Sequence, residues 1–451
     1  MSAAALVVAS CSAGGGTPFL PAQSASGLVR TIHHEASGNP IKHIVIIVQE
    51  NRSFNDLFYE FPGATTATYG YDSKGKRITL QPVGLETTWD IEHDLAGFLA
   101  ACNGTGSLPG THCQMNGFND EYWGCGHYRS QPNCPNPLPP YSYVPHDETK
   151  PYFYLGEHYV LADQMYASNL DASSFISHQY IIAGQASSAV NFPENYWGCP
   201  GLKYYPYYDE IATITQTRQY GSNISMCWNN KTIGSEMDDA GLSWAYYAST
   251  VSGDGGIWSA YQNIAPIYNG PDWSKDVISP QTNFFDDVSK GKLRDVSWIT
   301  PTFENSDHAG TLSKTGPAWV ASLVNAIGQS KYWNDTAIFI FWDDYGGWYD
   351  PEAPKMLDYD GLGLRIPMLI VSPYAKKGKV DHTQYEHGSI LRFVENTFGL
   401  STLSASDKRA TPPDAAFDFN KPPRTFEVVP SERGIEFFKH QAPDHRNPDP
   451  G

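Results

Sequence analysis

Three short apolar runs mark the predicted core of the chain. They span residues 42–48, 337–342 and 366–371, and they are rich in β-branched and aromatic side chains. Continuous apolar runs of this length are typical of strands that are buried on both faces. The segments 318–327 and 389–398 show helical periodicity instead. Because strands alternate with helices, we predict an α/β fold: a three-layer α/β/α sandwich around a mostly parallel central sheet.

Other stretches lack this periodicity and divide the chain into regions. Residues 102–160 are rich in Gly, Pro, Asn and Tyr, and residues 195–230 have a similar composition. Both are predicted to be insertions into a main domain that spans residues 27–400. Residues 401–451 are rich in Pro and Asp, and we expect them to form an irregular C-terminal extension.

Six of the seven cysteines fall between residues 102 and 227. This clustering predicts a disulfide framework formed in an oxidising compartment. A zinc site is the alternative, although no C-x-x-C motif occurs and the spacings are wide. We expect Cys199 to pair with Cys227 and the other four to pair among themselves. The clustered cysteines are Cys102, Cys113, Cys125, Cys134, Cys199 and Cys227.

The seventh cysteine, Cys11, follows a small, apolar segment at residues 3–9. The sequence VASC at residues 8–11 has the form of a lipoprotein cleavage box, in which the cysteine becomes the lipidated first residue. Residues 1–26 are therefore predicted to be a lipoprotein-type signal followed by a flexible tether. The alternative is an unprocessed tail, since no basic residue precedes the apolar segment. A lipid anchor at Cys11 would bring the protein into contact with a membrane outside the cytoplasm.

The charge balance narrows the range of partners. Among 451 residues there are 48 Asp and Glu against 30 Lys and Arg, which gives a net charge of −18. Such a chain repels the phosphates of nucleic acids, and no run of Lys or Arg forms a local basic patch. We therefore expect no nucleic-acid partner. Small anionic substrates remain compatible with the charge, because a bound metal ion reverses its local sign.

Acidic and amide side chains directly follow two of the predicted strands. Glu50 and Asn51 come after the first apolar run, and Asp343 and Asp344 come after the second. In doubly wound sheets, ligands bind beyond the carboxyl ends of strands, and oxygen-bearing side chains there suit a divalent cation. Each pair also has a simpler interpretation, a helix cap for the first and a solvated turn for the second. Their joint position at two strand ends favours a metal site.

Three further residues are candidates for chemistry. Ser174 comes just before residues 175–183, which are predicted to be helical, and a serine there is either an N-cap or a nucleophile at the positive end of the helix. His308 follows a strand-like segment, residues 296–299, and is a candidate proton donor or anion-binding group. His93 has the same candidate roles. A surface position is the alternative for both histidines.

Residues 42–54, KHIVIIVQENRSF, resemble the opening motif of the bacterial phosphoesterase family. That family contains acid phosphatases of the phospholipase C type and non-specific phospholipases C, within the alkaline-phosphatase-like superfamily. The resemblance covers most of the predicted main domain. In the order of the family, it continues through residues 163–185, the SDH motif at 306–308, and residues 342–349 and 365–400.

The resemblance implies an alkaline-phosphatase-like fold and a site built from the residues above. Ser174 matches the family's nucleophile, His308 matches a histidine near the phosphoryl group, and His93 matches a second one. One divalent metal ion is implied, and ligation by oxygen atoms alone suits Mg²⁺, Ca²⁺ or Mn²⁺, with Zn²⁺ or iron as further options. The matching metal ligands are Glu50, Asn51, Ser174, Asp343 and Asp344.

The implied function is hydrolysis of phosphoric esters. The family's phospholipases mostly carry threonine at the nucleophile position, whereas its acid phosphatases carry serine followed four residues later by histidine; Ser174 and His178 fit the phosphatases. We therefore expect a broad-specificity, metal-dependent acid phosphatase that acts on small phosphate esters outside the cytoplasm. The first alternative is a phospholipase C that binds a phospholipid head group, and the second is a non-catalytic, surface-binding lipoprotein.

The chain departs from the family pattern at three points. Trp89 stands where many members have histidine, and Asp350 is followed by Pro351 instead of the frequent histidine. The sequence has no counterpart of a histidine that some members carry upstream of the SDH motif. These differences concern the anion pocket and the leaving group, not the metal ligands or the nucleophile.

Overall fold

The computed structural model describes most of the chain, from residue 38 onward. The predicted signal and tether, including Cys11, lie outside the described residues. The described residues are 38–106, 112–125, 134, 137–193, 198–204, 210–251, 256–444 and 446.

Strands and helices alternate along the described chain. The strands are β1 His43–Gln49, β2 Tyr69–Tyr71, β3 Arg77–Thr79, β4 Gln81–Pro82, β5 Ser142–Tyr143, β6 Val160–Tyr166, β7 Glu210–Ile211, β8 Ile224–Ser225, β9 Trp244–Tyr247, β10 Val277–Ile278, β11 Val296–Ile299, β12 Thr336–Trp342, β13 Arg365–Val371, β14 Lys379–Asp381 and β15 Tyr385–Glu386. The helices are α1 Phe54–Leu57, α2 Leu95–Cys102, α3 Lys150–His158, α4 Ser174–Ala183, α5 Gly198–Tyr204, α6 Ile233–Asp239, α7 Ala265–Tyr268, α8 Asp272–Asp276, α9 Asn283–Ser289, α10 Gly316–Gly328, α11 His387–Phe398, α12 Ala405–Arg409 and α13 Ile435–His440.

A nine-stranded sheet forms the centre of the molecule. Its strand order is β10-β9-β11-β1-β12-β13-β6-β14, and β15 also pairs with β6. Every pairing is parallel except those that β13 makes with β12 and with β6. The predicted mostly parallel sheet is thus confirmed, with one antiparallel strand inside it.

The three predicted apolar runs form β1, β12 and β13, which are almost entirely buried. Alternate residues of a strand face opposite sides of the sheet, and β12 shows what lies on each side. Phe339 packs against Phe393 of α11, with 5.1 Å between ring centroids, whereas Trp342 packs against Tyr152 of α3 at 5.0 Å. Helix α11 contacts α4 and α12, and α3 contacts α10. Helices therefore cover both faces, which confirms the three-layer sandwich.

Three disulfides tie together segments that lie outside the central sheet. They join Cys102 to Cys113, Cys125 to Cys134, and Cys199 to Cys227. The expected pairing is confirmed, so the six clustered cysteines are not available as zinc ligands. The bonded residues are 11, 9 and 28 positions apart, and each bond therefore restricts a local segment of the chain.

Beyond residue 400 the described chain forms two short helices, α12 and α13, and otherwise mostly irregular segments. Helix α13 packs on α10, where the ring of Phe438 lies 5.2 Å from that of Trp319. Among the described residues, no helix combines the length and the apolar character that crossing a bilayer requires.

Candidate active site

Two pairs of polar residues meet at one edge of the sheet. Glu50 and Asn51 follow β1, and Asp343 and Asp344 follow the neighbouring strand β12. The two strands are parallel and their last residues lie opposite each other, so the pairs emerge side by side. The backbone N–H of Asn51 donates to Oδ1 of Asp343 at 3.1 Å, and all four side chains are fully buried. The structure therefore brings together the two segments that the sequence analysis placed at strand ends.

The turn after β1 depends on an unusual backbone conformation. Asn51 is left-handed, with a φ of 58°, a conformation that asparagine tolerates better than most residues. Gly346, in the turn after β12, packs directly against it, and a Cβ atom at Gly346 would lie 2.0 Å from the carbonyl oxygen of Asn51. The two turns fit together only because residue 346 is a glycine.

Ser174 lies at the N-terminus of α4 and faces the turn after β1. It is the first residue of the helix, and Ser173 occupies the N-cap position, so the interpretation of Ser174 as an N-cap is wrong. The Ser174 hydroxyl is buried and donates to Oδ1 of Asn51 at 3.1 Å. The serine therefore sits at the positive end of the helix dipole, beside the candidate metal ligands.

His178 lies one helical turn after Ser174 and faces the same group of residues. Its Nε2 atom is 3.0 Å from Oε1 of Glu50 and 4.0 Å from Oδ2 of Asp343. Its Nδ1 atom is 3.2 Å from the hydroxyl oxygen of Tyr246, on β9. Single ligand atoms of Glu50, His178 and Asp343 lie within 4.8 Å of one another, a spacing that suits a metal ion.

The residues at this sheet edge fit a divalent cation. Glu50, Asp343 and Asp344 are fully buried, and like charges buried together require a compensating positive charge. Oδ2 of Asp343 is buried and accepts no hydrogen bond, whereas Oδ1 of Asp344 accepts from the N–H of Gly346 at 2.7 Å. Carboxylate, amide and hydroxyl oxygens are together the donor set that a divalent ion prefers.

His93 orients the side chain of Asn51. Nδ1 of His93 is 2.6 Å from the carbonyl oxygen of Ile91, which can only accept, so we assign the ring hydrogen to Nδ1. Nε2 of His93 then accepts from Nδ2 of Asn51 at 2.6 Å. This hydrogen bond turns the amide oxygen of Asn51 toward Ser174.

His308 lies beside His93, with 5.6 Å between the ring centroids. Its Nδ1 atom is 2.6 Å from the carbonyl oxygen of Ala309 and 3.9 Å from Oδ2 of Asp90. Both histidines are buried, so neither has the surface position considered as the alternative. The structure thus groups His93 and His308 with Ser174 at one edge of the sheet.

A cavity of about 430 Å³ opens beside His93. The ring of Phe192 lies at its wall, 6.3 Å from that of His93. Acidic side chains are prominent in the lining, and burial together with the nearby Asp94 carboxylate raises the pKa of Glu92. The lining residues are Asp90, Ile91, Glu92, His93, Asp94, Tyr122, Gly124 and Phe192.

A buried network that the sequence analysis did not identify supports the site. Oδ2 of Asp307 accepts from the hydroxyl of Tyr152 at 2.5 Å and from Nε2 of Gln49 at 3.3 Å. The carbonyl oxygen of Asp307 accepts from Nε of Arg52 at 2.8 Å. Burial raises the pKa of Asp307 to about 6. Because Gln49 and Asp307 each directly precede a candidate site residue, these bonds fix the backbone at the site.

A buried ion pair joins the start of β13 to the loop after β12. Nε of Arg365 is 2.9 Å from Oδ1 of Asp350, and Nη1 of Arg365 donates to the carbonyl oxygen of Asp163 at 2.8 Å. Because β13 is antiparallel to β12, its first residue lies at the same sheet edge as the candidate site. In the sequence, Arg365 stands directly before the apolar run at residues 366–371, and this charged residue next to a predicted buried strand could have indicated the ion pair.

Relatives of this chain are known along most of its length. The non-hemolytic phospholipase C of Burkholderia pseudomallei is 24% identical, over 96% of this chain and 64% of the relative. Phospholipase C B of Mycobacterium tuberculosis is 25% identical, over 85% of this chain and 78% of that protein. The chain thus spans somewhat less than two thirds of the length of the Burkholderia relative.

A solved structure with detectable similarity is that of a protein of the alkaline phosphatase superfamily from Vibrio parahaemolyticus. It has 12% identity over 85% of this chain and 70% of that chain, with a TM-score of 0.37. The model of the phosphoesterase family matches residues 41–401, a range that contains every candidate site residue described above. The chain therefore belongs to the phosphoesterase family.

Proposed function

We propose that the protein is a metal-dependent phosphoric ester hydrolase in which Ser174 is the nucleophile. The observation that carries this proposal is the position of the Ser174 hydroxyl, at the N-terminus of α4 and 3.1 Å from Oδ1 of Asn51, whose own N–H donates to the buried carboxylate of Asp343. A serine hydroxyl is a weak nucleophile until such surroundings activate it. The proposed metal ligands are Glu50, Asn51, Ser174, Asp343 and Asp344.

The proposed reaction has two steps. A divalent ion, when bound, would polarise a phosphoryl oxygen and lower the pKa of the serine hydroxyl. Oγ of Ser174 attacks phosphorus in line and gives its proton to solvent water, the bond to the leaving alkoxide breaks, and a phosphoserine forms. Nε2 of His308, in the protonated ring, gives its proton to the leaving alkoxide. Water then attacks the phosphoserine, the bond from phosphorus to Oγ breaks, and phosphate leaves. One proton of the water returns to Ser174, and His308 regains its proton from solvent.

Two further groups position the reactants. His93 holds Oδ1 of Asn51 toward Ser174 and places a second imidazole ring next to His308, where the phosphoryl group would bind. The first backbone N–H groups of α4 favour negatively charged phosphoryl oxygens at that helix end. Catalysis of phosphoryl transfer relies mainly on such positioning and charge neutralisation.

For the substrate, we propose first a broad range of small phosphomonoesters, which is the acid phosphatase reaction. Ser174 and His178 on one face of α4 support this choice, because the family's acid phosphatases combine these two residue types at this spacing. The same set of buried polar residues argues against a non-catalytic, surface-binding role.

The second candidate is a phospholipase C that cleaves the phosphodiester of a phospholipid. Both relatives described above are phospholipases C. The cavity beside His93 combines carboxylates with the rings of Tyr122 and Phe192, a lining that suits a cationic head group. Faster cleavage of phosphatidylcholine than of p-nitrophenyl phosphate would support this candidate, and the reverse order would support the phosphatase.

We also propose that the protein acts outside the cytoplasm, in the periplasm, at the cell surface or after secretion. The three disulfides support this location, because such bonds persist in oxidising compartments. Its partners would be small phosphate esters or phospholipid head groups and not nucleic acid, given the net charge of −18. Anchoring to a membrane through Cys11 stays a prediction.

Substitution of Ser174 by alanine tests the proposal. The variant lacks the hydroxyl that attacks phosphorus, so we expect kcat for p-nitrophenyl phosphate with added divalent metal to fall at least about 10³-fold. Ser173→Ala is the matched control. The Ser173 hydroxyl donates to the carbonyl oxygen of Asn191 at 3.2 Å, and Ser173 is not among the proposed metal ligands, so kcat should stay within about threefold of the wild-type value. Full activity in Ser174→Ala would refute the assignment of the nucleophile.

A further inference from the structure

We propose that His178 is a nitrogen ligand of the metal ion, in addition to the oxygen ligands that follow β1 and β12. This inference rests on the proposed metal site and adds to it a residue that sits on α4, one turn after Ser174. A mixed set of nitrogen and oxygen ligands changes the metal that the site prefers, from Mg²⁺ or Ca²⁺ toward a transition metal such as Zn²⁺ or Fe²⁺.

The hydrogen bonds of Tyr246 show which ring nitrogen of His178 carries the hydrogen and which has the free lone pair of the neutral ring. The Tyr246 hydroxyl has one hydrogen, and it donates this hydrogen to the carbonyl oxygen of Trp258 at 2.6 Å. Toward His178 the same oxygen can only accept, from Nδ1 at 3.2 Å. Nδ1 therefore carries the hydrogen, and in the neutral ring the lone pair of Nε2 is directed at Glu50 and Asp343.

A lone pair that faces two carboxylates is repelled by them unless a cation lies between. The distances match such a cation. For bonds of about 2.1 Å, two ligand atoms at right angles lie about 3.0 Å apart and two on opposite sides lie about 4.2 Å apart. Nε2 of His178 is 3.0 Å from Oε1 of Glu50 and 4.0 Å from Oδ2 of Asp343. Oδ2 of Asp343 is also the buried oxygen that accepts no hydrogen bond.

The surroundings of His178 also resemble those of metal-binding histidines in general. Such histidines almost always donate their other ring N–H to a fixed acceptor, which sets the tautomer and the orientation of the ring. Tyr246 serves as that acceptor here, and its position is fixed because it is fully buried on β9 and bonded to Trp258. His178 is fully buried as well, so solvent does not compete for its Nε2 atom.

The test is pulsed electron paramagnetic resonance of the wild-type protein loaded with one equivalent of Mn²⁺. We expect modulation from a directly bound histidine ¹⁴N nucleus, which changes to the ¹⁵N pattern when the protein is made with ¹⁵N-labelled histidine. The modulation should disappear in His178→Gln and persist in His387→Gln. His387 is a suitable control because it is a buried histidine whose ring packs on Phe341, and it is not among the proposed ligands.

Bound Mn²⁺ without histidine modulation in the wild type would overturn the inference, because His178 would then be only an ion-pair partner of Glu50. That result leaves the metal site itself intact. Failure of the wild type to bind Mn²⁺ at all would overturn both the inference and the proposed metal site. Neither result depends on whether a variant folds.

Metal affinities give a second readout. Titration calorimetry should show that His178→Gln weakens Zn²⁺ binding at least about tenfold, while Mg²⁺ affinity changes much less. Tyr246→Phe should keep the histidine modulation and weaken Zn²⁺ binding by a smaller factor, since it removes only the orienting hydrogen bond. Equal losses of Zn²⁺ and Mg²⁺ affinity in His178→Gln would contradict the assignment.

Discussion

Asn51 connects three parts of the candidate site through its own atoms. Its N–H donates to Asp343, its Nδ2 donates to His93, and its Oδ1 accepts from Ser174. The left-handed backbone, with a φ of 58°, directs the main chain and the side chain to these partners at the same time. The position of Asn51 after a predicted strand was enough to make it a candidate ligand. Its left-handed conformation could not be predicted, because it depends on the close packing of Gly346 and not on the pattern of apolar residues around it.

Replacement of His93 tests whether the orientation of Asn51 matters. His93→Ala removes the acceptor that holds the Asn51 amide, so we expect kcat for p-nitrophenyl phosphate to fall by about 10- to 100-fold, as for other groups that orient a metal ligand. His93→Gln offers an amide oxygen as the acceptor and should recover part of the loss. Steady-state kinetics at saturating metal would measure both effects. An alanine variant with wild-type kcat would show that His93 is not needed.

Among the elements, the apolar runs located the strands closely. The run at residues 42–48 became β1 at His43–Gln49, and the run at 337–342 became β12 at Thr336–Trp342. The third run became β13, but its antiparallel direction could not be predicted, because a continuous apolar run reports burial on both faces and carries no direction. Because β13 runs antiparallel to β12, Arg365 lies at the edge of the sheet that carries the candidate active site.

Removal of one member of the buried pair of Arg365 and Asp350 should strongly destabilise this edge of the sheet. Asp350→Asn leaves the Arg365 guanidinium buried without a countercharge, so we expect a loss of about 3–5 kcal/mol in the free energy of unfolding. Urea denaturation followed by circular dichroism would measure it. The double variant Asp350→Leu/Arg365→Met removes both charges and should be more stable than the single variant. A single variant within about 0.5 kcal/mol of wild type would contradict this account.

A buried carboxyl group where α11 meets α12, that of Glu395, should make the stability of the protein depend on pH. Burial, together with the nearby Asp407 carboxylate, raises the pKa of Glu395 from 4.5 to about 8. The folded protein therefore keeps a proton that the unfolded chain releases, and the stability from this group, complete below pH 4.5, declines until about pH 8.

The Glu395→Gln variant has no ionisable group at this position, so its stability should not decline in this way between pH 4.5 and pH 8. We expect its Tm, relative to that of the wild type, to rise by roughly 2 °C or more between pH 5 and pH 8. Thermal unfolding of both proteins in matched buffers would show the change. A Tm difference that is the same at both pH values would mean that Glu395 does not hold the proton.

For the molecule as a whole, the net charge of −18 and the proposed phosphate-ester substrate are compatible. Part of the negative charge is buried at one edge of the sheet, on Glu50, Asp343 and Asp344, where it fits a divalent cation. A bound cation offsets most of that charge and offers phosphoryl oxygens a direct ligand position, while the rest of the surface still disfavours nucleic acid.

The layered architecture and the grouping of the polar motifs could be predicted because they follow from short apolar runs and from what comes directly after them. The contacts that support the site could not be predicted in this way. His178 and Tyr246 are 68 positions apart, and Tyr152 and Asp307 are 155 apart. Such pairs arise from the packing of distant segments, and no local periodicity specifies them.

In the proposed mechanism, Ser174 carries the phosphoryl group during turnover. The most direct test mixes metal-loaded protein with a phosphomonoester, quenches the reaction in acid within milliseconds, and locates phosphate on the digested protein by mass spectrometry. We predict that the peptide containing Ser174 gains about 80 Da, the mass of one phosphoryl group, and that no such gain occurs in Ser174→Ala. Turnover of the wild type with phosphate on another residue, or on none at any quench time, would contradict the claim.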